Sequence, residues 1–287
     1  MPSPSMVIDQ PASLLSVAEH ADAIRQHVVQ MCFGPEGGHL GGSLSIVDVL
    51  AVLYFDVLRN FADQPDHPDR DILLLSKGHG AIALYAALAE RGYFPVSELT
   101  TFGQAGGRLM GHPVRAVPGV ELPTGSLGHG MALGAGFALA ARLHDSARRC
   151  FVIVGDGELQ EGSCWESAAV AAGQRLDRLV VIVDRNRLQL TGPTEGVVGL
   201  EPLAARWRSF GWDVRELDGH DQVGLAEALR STPWTAGQPS VLIANTHKGY
   251  GVPKLSDQPH CHCVSLSERQ QATVSSSLAS FLSGGSR

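Results

Sequence analysis

The segments Phe151–Gly162, FVIVGDGELQEG, and Val180–Gln189, VVIVDRNRLQ, decide the fold. Each opens with four apolar residues and then breaks into a polar loop. Between them WESAAVAAGQRL, residues 165–176, reads as mainly helical. Near-continuous apolar strands alternating with helices are the pattern of a parallel sheet covered on both faces. The expected class is therefore α/β, a parallel central sheet with helices on both faces. Both runs then end at the carboxyl edge of the sheet, where ligands bind in open α/β folds.

Working outward, DILLLSKGHG from Asp71 is a strand and a glycine turn, and AIALYAALAERG after it is a helix. From Ser13, LLSVAEHADAIRQHVVQMCF has the three- and four-residue spacing of an amphipathic helix. The glycine-broken GPEGGHLGGSLS leads into IVDVLAVLYFDVL, a buried helix. MALGAGFALAARLHD, from Met131, is a helix of small residues and implies close packing on a neighbour. Residues 101–123 read as irregular, and two more strands are expected at Asp213–Leu217 and Ser240–Thr246. VSSSLASFLSGGSR reads as a short helix and a loose end. The organisation is one domain over 13–268, after a Pro/Ser-rich flexible N-terminus, 1–12, and before a tail, 269–287.

The chain has 287 residues, with Lys and Arg 22 against Asp and Glu 29, a net charge of −7. That balance argues against a nucleic-acid partner, which calls for clustered basic residues. A hydrophobic share of 44 % with 18 % charged residues is an ordinary globular mix. Glycine is abundant at 33 residues while aromatics make up 6 %, which suits backbone brought close to a ligand. Cys32, Cys150, Cys164, Cys261 and Cys263 are too scattered for a disulfide framework. The N-terminus has neither a basic nor an apolar signal region, and the apolar stretch Met131–Ala141 falls short of a ~20-residue membrane span. A soluble cytoplasmic protein with no membrane partner is expected.

Asp156 stands between Gly155 and Gly157, and Asn186 follows 186 − 156 = 30 residues later. That interval holds one crossover helix and a return strand. On neighbouring strands ~4.8 Å apart, both side-chain oxygens reach one hard cation at the ~2.1 Å of Mg²⁺. One carboxylate and one amide suit an ion already partly neutralised by a diphosphate. The same spacing also describes an ordinary strand-end turn with an unrelated Asn. His39, His79, His112 and His129 all adjoin Gly or Pro in loops, where scaffolds place function. An imidazole there hydrogen-bonds, relays protons and stabilises an alkoxide, or simply caps a loop. GGHLGG lacks the strand-before, acid-after context of a dinucleotide fingerprint, and no GxxxxGK[ST] loop occurs. Cys164 is read as a packing residue.

The Gly155-Asp156-Gly157 to Asn186 arrangement resembles the metal–diphosphate motif of thiamine diphosphate enzymes. GGHLGGSLS, SKGHG, LMGHP, ELPTGSLGHG, GDGELQEG and NRLQLTGPTE then occur in the order found in transketolases. The likeness runs over residues 15–265 and is to the N-terminal, diphosphate-binding half of that family. It implies that Asp156, Asn186 and the Leu188 carbonyl hold Mg²⁺ or Ca²⁺ on the diphosphate. It places His79 near the diphosphate and reacting centre, His39 and His112 along the substrate channel, and His262 as a last active-site histidine. Gly125 and Leu127 resemble residues that meet the cofactor rings, with Gly155 and Gly157 flanking the metal carboxylate. Glu161 and Glu166 resemble an acidic pair coupling two active sites, and Lys248 a position near the diphosphate.

The implied activity is transfer of a two-carbon ketol unit from a ketose to an aldose, with sugars or sugar phosphates as substrates. The pyrimidine-binding and C-terminal domains of a transketolase are not found here, and the resemblance then implies a separate subunit carrying them, in an α₂β₂ assembly. A deoxyxylulose-phosphate-synthase-like or specialised acyl transferase shares GGHL and GDG, but SKGH, MGHP and TGSLGHG favour the transketolase. A non-catalytic assembly or regulatory subunit is weighed against by the presence of Asp156, Asn186, His79 and His112. His129, Arg185 and the HCHC run from His260 to Cys263 depart from the family pattern. HCHC alternates zinc-type ligands, but a structural zinc site needs a second ligand cluster and the sequence shows none.

Overall fold

The computed structural model describes residues 15–34, 36–190 and 192–285. The expected flexible segment 1–12 lies outside them. Helix α1, Val17–Met31, starts where Ser16 and Glu19 cap each other's backbone N–H groups. Short helices α2, Leu40–Leu44, and α3, Val47–Val52, follow, the latter prolonged through Val57 by a wider turn. Strand β1, Ile72–Leu75, and helix α4, Ala81–Arg91, match the strand–loop–helix reading. Gly92, in the left-handed region at φ 92°, ends α4 as glycine does at helix C-termini.

Helix α5, Gly130–Leu143, strand β2, Cys150–Gly155, helix α6, Gly162–Gly173, and strand β3, Leu179–Arg185, form the expected strand–helix–strand unit and its approach. A two-stranded hairpin of β4, Leu188–Gln189, and β5, Gly192–Pro193, leads to helices α7, Thr194–Val197, and α8, Leu203–Ser209. Strand β6, Asp213–Asp218, helix α9, Gln222–Arg230, strand β7, Ser240–Asn245, and helix α10, Glu268–Ser280, complete the described chain. No sequence pattern announces α7, α8 or α9; at 4, 7 and 9 residues they span too few turns for a strong periodic signal.

The five-stranded sheet has the order β1-β2-β3-β7-β6, and every adjacent pair is parallel. Residues alternate between two cores. Leu73, Leu75, Phe151, Ile153, Val180 and Ile182 face α1, α3, α4 and α9, whereas Ile72, Leu74, Val152, Val154, Val181 and Val183 face α5, α6 and α8. The fold is α/β with helices on both faces. Fully burying one such side chain is worth ~1.5–3 kcal/mol, so two filled faces hold the sheet ends rigidly in register. The small residues of α5 act as read: a Cβ on Gly134 would sit 2.4 Å from Val152 Cγ2, so only glycine lets this helix lie against β2. Among the described residues no helix is long and apolar enough to cross a membrane.

Candidate functional site

Because the strands are parallel, the loops after β1, β2, β3 and β7 all leave the same edge of the sheet. They carry Lys77 and His79, Asp156 to Glu161, Asn186 to Leu190, and Lys248 respectively, and together line one cavity of about 340 Å³. Gly42, Leu127 and His262 complete the wall from other segments. Of the residues singled out from sequence, His79, Leu127, Gly155, Asp156, Gly157, Glu161, Asn186, Leu188, Lys248 and His262 therefore converge. Glu166 does not; it is exposed on α6. Gly125 stands beside the histidines, since a Cβ there would lie 3.4 Å from His112 Cδ2.

Four imidazoles form a cluster with His39 at its hub. Its ring centroid is 5.8 Å from His79, 5.7 Å from His112 and 5.5 Å from His262, and His79 and His262 are 5.2 Å apart. Burial, then the charges of Lys77, His262, His39 and Lys248, holds His79 far below the ordinary imidazole range. Burial and Lys248 push His262 down to about 4, and burial with His112 lowers His39. His39, His79 and His262 are therefore neutral at pH 7, each with one donor and one acceptor nitrogen.

Asp156 Oδ1 accepts from the Gly157 N–H at 2.8 Å; Oδ2 accepts from Arg187 N–H at 2.6 Å and Arg185 Nη1 at 3.1 Å. Burial, with Asp184 nearby, pushes its carboxyl up to about 6 against the pull of Arg185. Asn186 Oδ1 accepts from Leu188 N–H at 3.0 Å, and the Leu188 carbonyl accepts from Lys248 Nζ at 3.2 Å. Arg185, which departs from the family pattern, pairs with acidic neighbours: beyond Asp156, its Nη2 is 2.8 Å from both Glu195 and Glu201.

Behind this wall lies a buried network that no sequence motif marks. Asp184 accepts from Lys77, from Thr246, from Ser45 Oγ at 2.7 Å and from Asn186 Nδ2 at 2.9 Å. Burial opposes its ionisation, but Lys77 and these hydrogen bonds hold it below the ordinary carboxylate range. Glu158 accepts from Ser76, from Gly128 N–H at 2.9 Å and from Gly155 N–H at 3.1 Å, tying the β2 loop to the β1 loop and to the segment before α5. One signal does point to the network: an aspartate inside the apolar run VVIVDRN must find a buried partner.

The donor set suits a hard cation. Asp156, Asn186 and Leu188 offer oxygens only, of the kind Mg²⁺ and Ca²⁺ take, and too few to complete a coordination shell without water or phosphate. Among the described residues no three His, Cys, Asp or Glu side chains gather as a metal cage. Gly42 lets His79 and Lys77 pack close against α2: a Cβ there would stand 3.2 Å from His79 Cδ2 and 3.5 Å from Lys77 Nζ. In HCHC, Cys261 is buried against Gly41 and His262 enters the cavity wall, while His260 and Cys263 are exposed.

A parallel sheet whose carboxyl edge gathers glycine loops, ammonium groups and carbonyl and carboxylate oxygens on one cavity suits a phosphate-bearing ligand. Likeness to known proteins supplies the family. Residues 16–279 match the family described as transketolase, thiamine diphosphate binding domain. The chain is 45 % identical over 244 residues to an apulose-4-phosphate transketolase subunit of Actinobacillus succinogenes, covering 84 % of this chain and 88 % of that one. It is 40 % identical over 255 residues to 6-deoxy-6-sulfo-D-fructose transketolase subunit SqwG of Clostridium sp., covering 88 % and 93 %. Transketolase from Leishmania mexicana superposes with a TM-score of 0.86 at 31 % identity, over 93 % of this chain and 42 % of that one. The chain belongs to the transketolase family, the thiamine diphosphate-dependent transferases. Within it, the chain is similar to members that are named as single subunits.

Proposed function

We propose that this chain is the diphosphate-binding subunit of a two-component transketolase that moves a two-carbon ketol unit from a ketose to an aldose. The convergence of Asp156, Asn186, the Leu188 carbonyl, Lys248, His79 and His262 on one cavity carries the reading. Thiamine diphosphate, when bound, supplies the nucleophilic carbon and the electron sink. Asp156, Asn186 and Leu188 hold Mg²⁺ or Ca²⁺; Gly155 and Gly157 keep that carboxylate unobstructed. Gly125 and Leu127 back the cofactor rings. The neutral His39, His79 and His262, together with His112, bind sugar hydroxyls and pass protons between them. Glu161, in the cavity wall, and Glu166, on α6, are the acidic pair that couples two active sites.

The partner is a separate subunit bearing the pyrimidine-binding and C-terminal domains, in an α₂β₂ assembly. The word subunit in the relatives' names supports it. The substrates are sugars or sugar phosphates, and the compartment is the cytoplasm, in keeping with five unpaired thiols. No nucleic acid or membrane takes part.

The test is purification of the tagged chain from its own cells, followed by ketol-transfer assays with and without the co-purifying subunit. Apulose-4-phosphate and 6-deoxy-6-sulfo-D-fructose, the compounds in the relatives' names, are the first donors to try. A partner of comparable or greater length and activity only in the complex is expected. Turnover by the isolated chain overturns the split-site reading.

A further inference from the structure

Every oxygen assigned to the cation is already taken within the chain. Two are taken by cations: Asp156 Oδ2 by Arg185 and the Leu188 carbonyl by Lys248. The two cations differ. Arg185 has further anchors in Thr194, Glu195 and Glu201, which keep it in place. Lys248 is 1 % exposed, and among the described residues no carboxylate lies within ion-pair distance of it. Its ammonium reaches only two neutral acceptors, the Leu188 carbonyl at 3.2 Å and His262 Nδ1 at 3.0 Å.

We propose that Lys248 is a movable counter-cation that makes divalent-cation binding conditional on a diphosphate. The inference rests on the cofactor reading given above and deepens it. A buried ammonium with no carboxylate in contact is costly, even with Asp184 and Asp156 acting on it from further off, so a diphosphate entering the cavity draws Lys248 to itself. That move frees the Leu188 carbonyl for the cation. A cation arriving alone offers Lys248 no new partner. It must share the Leu188 carbonyl with a like charge or forgo that ligand. The coupling is reciprocal, so the cation also tightens the diphosphate.

The test measures Mn²⁺ bound to the full chain, by electron paramagnetic resonance of the free ion, with and without inorganic pyrophosphate and corrected for Mn²⁺ held by pyrophosphate itself. The wild-type chain should bind Mn²⁺ at least ~10-fold tighter with pyrophosphate than without, within the usual range of coupled sites. Lys248→Met should bind Mn²⁺ alone ~10-fold tighter than wild type and lose most of the pyrophosphate effect. Lys248→Gln, with circular dichroism melts of both variants, guards against a folding defect. If both variants bind Mn²⁺ alone no better than wild type while pyrophosphate still tightens it in all three, the counter-cation role is overturned and the cofactor reading stands. If pyrophosphate tightens Mn²⁺ in none of them, the cofactor reading itself fails and this inference with it.

Discussion

The Lys77 ammonium and the Asp184 carboxylate pair in the interior, reaching from the end of β1 to β3 across β2. Their side chains are 1 % and 0 % exposed, so neither has water as a fallback. Lys77 also donates to the Gly42 carbonyl at 2.7 Å, and Asp184 accepts from Ser45 and Thr246, so one ion pair binds the α2 segment and the β7 loop to the sheet edge. Removing one partner strands the other charge, at a cost of ~3–5 kcal/mol. Asp184→Ala and Lys77→Met should each lower the urea midpoint accordingly, and the double variant should lose less than the sum. A cost below ~1 kcal/mol for Asp184→Ala would show that this pair is not the clamp.

A second buried acid gives a pH signature away from the cavity. Asp48 is 3 % exposed and accepts from Arg25 Nη2 at 2.8 Å and Gln222 Nε2 at 2.8 Å, with His220 Nδ1 at 2.9 Å. Burial alone would raise its carboxyl, but Arg25 and His220 bring it down from 3.8 to about 2. A depressed carboxylate stabilises the fold above the unfolded value, and that contribution is lost as pH falls through the folded one. The window is therefore about pH 4 down to about 2, and the contribution is on the order of 2–3 kcal/mol. Denaturant midpoints of wild type and Asp48→Asn should differ most at pH 7 and converge near pH 2. A gap that stays constant across that window removes the basis for this assignment.

Much of this is legible in the sequence because parallel strands leave a simple trace. FVIVGDG and VVIVDRN each place apolar residues on both faces, and the polar residue ending each run marks the carboxyl edge. Asp156 stands out that way, Asn186 lies two residues past the polar residue that ends the second run, and the sheet puts both in one cavity wall. Asp184, which follows VVIV, stands out as well, but its partner does not: Lys77 lies 107 residues away along the chain, as Ser76 lies 82 from Glu158. No local pattern encodes such a pairing. Arg185 stands out as a departure, but Glu195 and Glu201 lie in a stretch without a readable element, so its partners emerge only from the fold.

The histidine cluster predicts rings that stay neutral under mild acid. With His262 held near 4 by burial and Lys248, and His79 lower still, neither ring gains a proton between pH 7 and pH 5.5. A lowered histidine destabilises the fold only as pH drops below the unfolded value of 6.5, because the unfolded chain then binds the extra proton. Stability should therefore decline below about pH 6.5 while the rings themselves stay neutral. Carbon-bound ring proton shifts of His79 and His262, assigned through His→Gln variants, should stay at their neutral positions down to pH 5.5. An inflection near 6.5 at either ring would mean that burial and the neighbouring lysines do not govern it.

Asp156 separates function from folding most sharply. Within the chain its carboxylate is buried, and burial with Asp184 nearby pushes it up to about 6, so ionisation at pH 7 is held against an unfavourable setting. A carboxyl raised in the fold stabilises below its unfolded value and loses that contribution as pH rises through the folded one, here near 6. Asp156→Asn keeps the shape and removes the charge, and Arg185 retains Glu195 and Glu201. In the absence of divalent cation the variant should therefore be at least as stable as wild type at pH 8, with the difference shrinking toward pH 5. In the reconstituted complex the same change should cut ketol transfer by more than the ~10–100-fold typical of outer-sphere residues around a metal. Opposite signs in the two assays are the expected mark of a residue kept for its ligand rather than for the fold. A variant that is clearly less stable at pH 8, yet retains most activity, would instead place Asp156 among the structural residues of the β2 loop.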